Sequence, residues 1–243
     1  MQFQATYKMK TVFHPASERG TADHGWLQSH HSFSFASFYH PEKVHFGLLR
    51  VLNDDVVAAG RGFGRHPHEN MEIITIPLFG ALAHKDSTGG SEVITTGEVQ
   101  IMHAGSGIQH SEMNASTSDP VGLFQIWIFP DKKNIEPSYE QKKFDWQTKA
   151  NEWTEVVSPD GGSALWINQQ AWINLSRVEA EKSIEYQSHS IDSGIYILVI
   201  EGELNVGDQV LSKRDALGIW EFEKLTMKAN VETQILVIEI PMQ

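Results

Sequence analysis

Short apolar segments, separated by glycine-containing turns, recur along the whole chain, and long amphipathic helices are not apparent. Segments rich in β-branched and aromatic residues lie at 72–76, 123–129, 196–200 and 235–240. Many short strands joined by tight turns are typical of a β-sandwich or β-barrel. We therefore predict an all-β fold. Residues 48–52 are one such strand, and Asn53-Asp54-Asp55 is predicted to be the turn that ends it.

The strand pattern repeats weakly. In residues 76–82 and again in 199–204, an apolar strand runs into a glycine, Gly80 or Gly202, which is followed two residues later by leucine. This repetition indicates two copies of one β-barrel unit. When Gly80 is placed on Gly202, His66 and His68 fall on serines in the second copy, which therefore lacks ligand-type side chains there.

The repeat predicts three regions in the chain. We expect an N-terminal metal-binding domain over residues 1–130 and a C-terminal domain without metal ligands over residues 151–243. The polar residues 131–150 between them are predicted to form a connector with a short helix. Eleven of the twelve histidines lie at or before His110, which places any metal site in the first domain.

Composition excludes several classes of function. The chain has 243 residues, no cysteine and a formal net charge of -12. Disulfides, thiol catalysis and thiolate metal sites are therefore excluded, and the charge argues against direct binding to nucleic acid or anionic lipid. No signal peptide or membrane-spanning segment is apparent, so we expect a cytoplasmic protein.

Two short segments carry the residues that suit metal chemistry. His66 and His68 are separated by one residue, as are His110 and Glu112. Residues at i and i+2 of a strand share a face. The same parity would carry Glu72 to the face of His66 and His68. Two such pairs on neighbouring strands would supply three imidazoles and a carboxylate, a set that suits Fe(II), Mn(II), Ni(II), Co(II) or Zn(II).

At these motifs the sequence resembles the pirin family, which has a two-cupin fold, and most of all its bacterial members with quercetin 2,3-dioxygenase activity. The matching residues are 24–27 (HGWL), 31–35 (HSFSF), 50–55 (RVLNDD), 62–68 (GFGRHPH), 104–112 (AGSGIQHSE) and 125–128 (QIWI). The resemblance implies two tandem cupin domains, which are β-barrels of the jelly-roll type.

The resemblance also implies a ligand set and a metal. His66, His68, His110 and Glu112 take the positions that hold one divalent ion in the family, with iron, Fe(II), as the usual metal and Mn, Ni, Co and Zn as alternatives. Glu72 competes with Glu112, because many other cupins use the glutamate that follows the paired histidines. We expect Glu112 to be the ligand and Glu72 to lie behind the ligands or in the pocket.

The other histidines are assigned roles outside the ligand set. His103 is expected to be an ordinary strand side chain, and His84 to be exposed or at the rim of the pocket. His24 and His31 lie in a family motif, and we expect them to form hydrogen bonds that fix the chain across the barrel.

The implied activity is oxidative ring opening of quercetin-like flavonols with O₂ and release of carbon monoxide. Glu112 is predicted to act both as metal ligand and as general base for the flavonol 3-hydroxyl. The partners are then the flavonol and O₂, and we expect a monomer. The alternative function is an iron-containing redox sensor that binds a regulatory protein or an enzyme.

Overall fold

The computed structural model describes residues 9–242, which form two compact units. The N-terminal unit comprises residues 19–145 and 156–170, and the C-terminal unit comprises residues 9–18, 146–155 and 171–242. Within this range the only helical element is the 3-10 helix Ala16–Glu18. The predicted all-β class is therefore confirmed.

Twenty-two strands make up the described chain. In chain order they are β1 (Lys10–His14), β2 (Gly20–Asp23), β3 (Leu27–His31), β4 (Leu49–Val57), β5 (Gly62–His68), β6 (Glu72–Phe79), β7 (Ala81–Asp86), β8 (Ser91–Thr95), β9 (Glu98–His103), β10 (Ile108–Asn114), β11 (Val121–Ile128), β12 (Ser138–Lys143), β13 (Thr154–Ser158), β14 (Leu165–Trp166), β15 (Trp172–Val178), β16 (Ser183–Gln187), β17 (Ser193–Glu201), β18 (Glu203–Val206), β19 (Gln209–Ser212), β20 (Ala216–Trp220), β21 (Lys224–Ala229) and β22 (Thr233–Pro241).

The N-terminal unit is built from a large and a small sheet. The large sheet has the order β12-β9-β6-β11-β4-β3-β2, and the small sheet has the order β5-β10-β7-β8. Leu27, Val57 and Val121 of the large sheet pack with Leu82 and Ile94 of the small sheet in one buried cluster. Burial of each such side chain contributes about 1.5–3 kcal/mol to stability. Two antiparallel sheets that enclose a common core form the predicted jelly-roll barrel.

The C-terminal unit repeats this plan. Its large sheet contains the run β1-β20-β17-β22-β15, and its small sheet has the order β16-β21-β18-β19. Ile197, Leu217 and Val237 of the large sheet share a buried core with Leu204 and Met227 of the small one. The second barrel therefore has a core of its own, as the sequence repeat predicts.

The glycines that revealed the repeat occupy equivalent turns. Gly80 joins β6 to β7 with a φ of +76°, and Gly202 joins β17 to β18 with a φ of +95°. This left-handed backbone is strained for a residue with a Cβ atom, which explains why both copies have glycine here.

The units interleave along the chain, whereas the prediction divided it linearly at residues 130 and 151. Lys10–His14 pairs with β20 and so extends the C-terminal sheet. The predicted short helix in the connector is wrong, because Ser138–Lys143 forms a strand paired with β9. The alternating burial of its side chains suits a strand at a sheet edge.

The predicted turn at residues 53–55 is also wrong. Asn53 and Asp55 lie inside β4, opposite His31 and Ser29 of β3. Their side chains hydrogen-bond to those two residues, so polar groups that often terminate a strand are satisfied within a paired one. Across residues 9–242, no helix is long and apolar enough to span a membrane.

Candidate metal site and adjoining cavity

Three histidines converge where β5 and β10 pair. His66 and His68 lie on β5, and His110 of β10 is directly opposite His66 in the antiparallel register. The ring centroids of the three imidazoles lie 4.5 to 4.9 Å from one another. Nε2 of His110 is 3.1 Å from Nε2 of His66. The i, i+2 spacing thus brings both histidines of β5 to a common point, as predicted.

The protonation states of these imidazoles favour a cation between them. Burial and neighbouring histidines lower the pKa of His68 to about 4 and that of His110 to about 3, so both rings are neutral at pH 7. Nδ1 of His66 lies 2.8 Å from the carbonyl oxygen of Gly64. Because a carbonyl only accepts, His66 carries its proton on Nδ1 and turns the Nε2 lone pair toward His110. Converging lone pairs of this kind fit a metal ion.

Glu112 supplies a buried carboxyl group beside the histidines. The strand register shifts between His110 and Glu112, which places Glu112 opposite Phe63. Nε2 of Gln125 donates a hydrogen bond of 2.9 Å to Glu112 Oε2. Burial, and then the charge of Asp55, raise the pKa of Glu112 to about 7. A cation beside this carboxyl group would offset the cost of burying its charge.

His84 extends the cluster and corrects a prediction. Its side chain is fully buried rather than exposed or at the rim. Its Nε2 lies 2.8 Å from Oδ2 of Asp86, and its ring stacks on Tyr139. Ligand atoms of His84, His110 and Glu112 lie within 4.8 Å of one another. Because β7 pairs with β10, His84 lies opposite Glu112, a long-range relation that the local sequence does not reveal.

Glu72 does not share the face of His66 and His68, so that prediction is wrong. Its buried carboxyl group accepts hydrogen bonds of 2.5 Å from Nδ1 of His103 and 3.1 Å from the backbone N of Asn168. Asn70 has a φ of +48° and lies outside both β5 and β6. The change of backbone conformation at Asn70 ends the alternation that would have carried Glu72 to the histidines.

A cavity of about 580 Å³ adjoins the histidine cluster. His66, His68 and Glu112 form part of its wall, and His24 and His31 from the N-terminal motif also line it. The apolar part of the wall is mainly aromatic, with Trp26, Phe35, Phe63 and Trp127 as its largest side chains. A cavity of this size with aromatic walls suits a flat organic molecule rather than a small ion alone.

One carboxyl group in the cavity wall was missed by sequence reasoning. Asp55 is 4% exposed and lines the cavity together with Ser29 and Asn53. Burial raises its pKa to about 7 despite a hydrogen bond from Ser29. The sequence offered one signal for this, because Asn53 and Asp55 are separated by one residue, the spacing of side chains that share a face of a strand.

Comparison with known proteins places this architecture. The family model described as Pirin matches residues 12–128, and the model described as Quercetinase C-terminal cupin domain matches residues 155–240. Quercetin 2,3-dioxygenase of Escherichia coli K12 is 41% identical over 229 residues, which cover 93% of this chain and 96% of that protein. The chain belongs to the pirin family. Its two barrels are therefore cupin domains, as predicted.

Other relatives support this assignment along almost the whole pirin chain. The pirin-like protein of Caulobacter vibrioides is 36% identical over 227 residues, covering 93% of this chain and 97% of its own. The crystal structure of YhhW from Escherichia coli has a TM-score of 0.91 at 38% identity, with 96% of this pirin and 98% of YhhW covered. A structure of YhhW in complex with nickel(II) has a TM-score of 0.90 at 37% identity, with 96% and 99% covered.

Proposed function

We propose that this pirin is a metal-dependent dioxygenase that opens the ring of quercetin-like flavonols with O₂ and releases carbon monoxide. One observation carries the proposal. Three imidazoles converge beside a buried carboxyl group, and His66, His68 and Glu112 of this cluster form part of the wall of a cavity large enough for a flat substrate. The naming of the 41% identical relative as quercetin 2,3-dioxygenase supports the same chemistry.

The proposed ligands are His66, His68, His110 and Glu112, which would hold one divalent ion. The donor set fits because His68 and His110 are neutral and the buried carboxyl group of Glu112 would gain a counter-charge. We propose Fe(II) as the native metal, with Mn, Ni, Co and Zn as the alternatives that the same donors accept. When bound, the ion would supply a Lewis acid that favours the deprotonated flavonol.

The residues of the chain would then carry out three tasks. Glu112 accepts the proton of the flavonol 3-hydroxyl, while Gln125 holds the carboxyl group in place through its hydrogen bond to Oε2. Trp127, whose ring lies 4.9 Å from that of His68, helps to orient the flat substrate beside the ligands. The remaining aromatic walls exclude bulk water from the reacting centre.

We propose that the protein acts as a cytoplasmic monomer on a small aromatic substrate and O₂, without direct contact with nucleic acid. The net charge of -12 supports the last point, because the phosphate backbone would be repelled.

The test is reconstitution of metal-free protein with each of the five metals, followed by a flavonol assay under air. We expect loss of flavonol absorbance together with equimolar carbon monoxide release for at least one metal, and no turnover for His66→Ala. If the parent protein turns over no flavonol with any of the metals, the redox-sensor function replaces the enzymatic one.

A further inference from the structure

A polar chain runs along the cavity wall outside the proposed ligand set. It joins β3 and β4, where Ser29 lies opposite Asp55 and His31 lies opposite Asn53. All four side chains are at least 95% buried and border the cavity. Buried polar groups are costly unless they are paired, so their arrangement in a cavity wall that is largely apolar requires a physical reason.

Ser29 Oγ also lies 3.3 Å from His31 Nδ1, which links the two pairs, and the direction of the hydrogen bond within each pair can be assigned. Nδ1 of His31 lies 3.0 Å from Asn53 Oδ1, an acceptor, so His31 carries its proton on Nδ1. The hydroxyl of Ser29 donates to Oδ1 of Asp55. Within the described residues this is the side-chain hydrogen bond that Asp55 receives, and it engages Oδ1 of the carboxyl group. The chain therefore holds Asp55 in place as an acceptor that borders the cavity.

An acceptor in this position matches a hydroxyl group on an aromatic ring. The phenylalanines of the cavity wall, Phe35 and Phe63, would contact the faces of an aromatic ring, but they offer no acceptor for the proton of a hydroxyl. We propose that Asp55 accepts a hydrogen bond from a phenolic hydroxyl of the substrate and thereby selects hydroxylated flavonols. This inference rests on the proposed function, because it takes the occupant of the cavity to be a flavonol.

The proposal assigns different roles to the two carboxyl groups of the cavity. Glu112 is held by Gln125 beside the histidines, and Asp55 is held by Ser29 on a different sheet. Asp55 would therefore fix the orientation of the substrate while Glu112 serves the reacting hydroxyl. A site built to bond a hydroxyl rejects an analogue that lacks it much more strongly than an apolar pocket does.

The experiment measures flavonol binding without turnover. Metal-free parent protein and Asp55→Asn are titrated under argon with quercetin and with flavonols that each lack one phenolic hydroxyl, and binding is followed through quenching of tryptophan fluorescence. For the parent, we expect removal of one particular hydroxyl to weaken binding by roughly 10- to 100-fold, the range for a hydrogen bond to a charged group. For Asp55→Asn, removal of that same hydroxyl should change the affinity by less than about 3-fold.

A matched control variant is available on the same strand. Asp54 is next to Asp55, and its carboxyl group lies 3.9 Å from Arg19 rather than in the cavity wall. Asp54→Asn makes the same chemical change one residue away and should keep the hydroxyl preference of the parent. Circular dichroism of both variants establishes that the comparison is made between folded proteins.

The outcomes separate this inference from the proposed function. If the parent binds flavonols and Asp55→Asn keeps the full hydroxyl preference, the role of Asp55 is overturned while the enzymatic function stands. If Asp54→Asn loses the preference as Asp55→Asn does, a general charge effect replaces the hydrogen bond. If the parent binds no flavonol, with or without metal, the proposed function itself fails.

Discussion

At the scale of single residues, the site depends on which residues form hydrogen bonds with each carboxyl group. Glu112 is bonded by Gln125 beside His110, whereas Glu72 is bonded by His103 and Asn168. Two glutamates that sequence spacing could not separate are thus separated by their hydrogen bonds. We therefore expect substitutions of the two glutamates to have unequal effects on flavonol oxidation.

We expect Glu112→Gln to reduce flavonol oxidation by ~10²–10⁴-fold per bound metal, the usual cost of losing a general base. Glutamine keeps one carbonyl oxygen but cannot take a proton, while the three histidines still retain part of the metal. Glu72→Gln is the matched variant and should have a milder effect. The measurement is rate divided by metal content; an inactive Glu72→Gln with an active Glu112→Gln would reverse the two assignments.

The raised pKa of Asp55 predicts that its contribution to the stability of the protein depends on pH. Its pKa is raised from an ordinary value near 3.8 to about 7 in the folded protein. Between these pH values the folded protein binds more protons than the unfolded chain, so its stability falls as pH rises. Asparagine has no proton to lose. In metal-free protein, the gain in Tm from Asp55→Asn should therefore be larger at pH 8 than at pH 5, by roughly 5 °C. Equal gains at both pH values would contradict the raised pKa.

At the scale of elements, the pairing of β5 with β10 creates the cluster. Gly62 begins β5, and a Cβ atom added to it would collide with the backbone oxygen of Glu112 and with Met113. A Cβ atom added to Gly64, two residues along the same strand, would meet nothing within 4 Å. A Gly→Ala substitution at Gly62 would therefore alter the spacing between β5 and β10. The same substitution at Gly64 would change the composition of β5 without altering that spacing.

Gly62→Ala is expected to push β5 away from β10 and to weaken metal binding by at least about tenfold, comparable to the loss of a supporting contact around a metal. Gly64→Ala should bind metal within about threefold of the parent. Competition with a chelator of known affinity measures both. Equal affinities for the two variants would show that the close approach at Gly62 does not maintain the cluster.

The elements also show which parts of the site were predictable. Parity within a continuous strand correctly paired His66 with His68, because nothing interrupts β5 between them. The same parity failed for Glu72, since Asn70 changes the backbone conformation between two strands. His84 was wrongly expected to be exposed or at the rim, and Asp55 was wrongly assigned to a turn, because their environment comes from cross-strand neighbours that are distant in sequence.

At the scale of the whole molecule, the separate cores make the proposed metal dispensable for folding. Each unit contains its own buried apolar cluster, so neither depends on a metal as a small zinc domain does. We expect His66→Ala to keep the β-type circular dichroism spectrum of the parent while it loses metal. Collapse of that spectrum on chelation of the parent would contradict this expectation.

The C-terminal barrel satisfies its buried carboxylate without a metal. Glu239 is fully buried, and its two oxygens accept hydrogen bonds from the hydroxyls of Tyr186 and Ser188 and from the backbone N and Nδ1 of His189. His189 is the only histidine after His110 in the sequence. Four donors therefore occupy the carboxylate that could otherwise have bound an ion in this barrel.

We accordingly expect about one tightly bound metal ion per chain, and not two. His110→Ala should empty the site, because loss of one of four ligands weakens a chelate strongly. His189→Ala is the matched control, since it removes a histidine from the second barrel, and it should leave the metal content at one. Elemental analysis of untagged protein after dialysis measures all three proteins. Two ions in the parent, or loss of metal from His189→Ala, would show that the second barrel binds metal. The hydrogen bonds around Glu239 would then not take the place of a metal ion in that barrel.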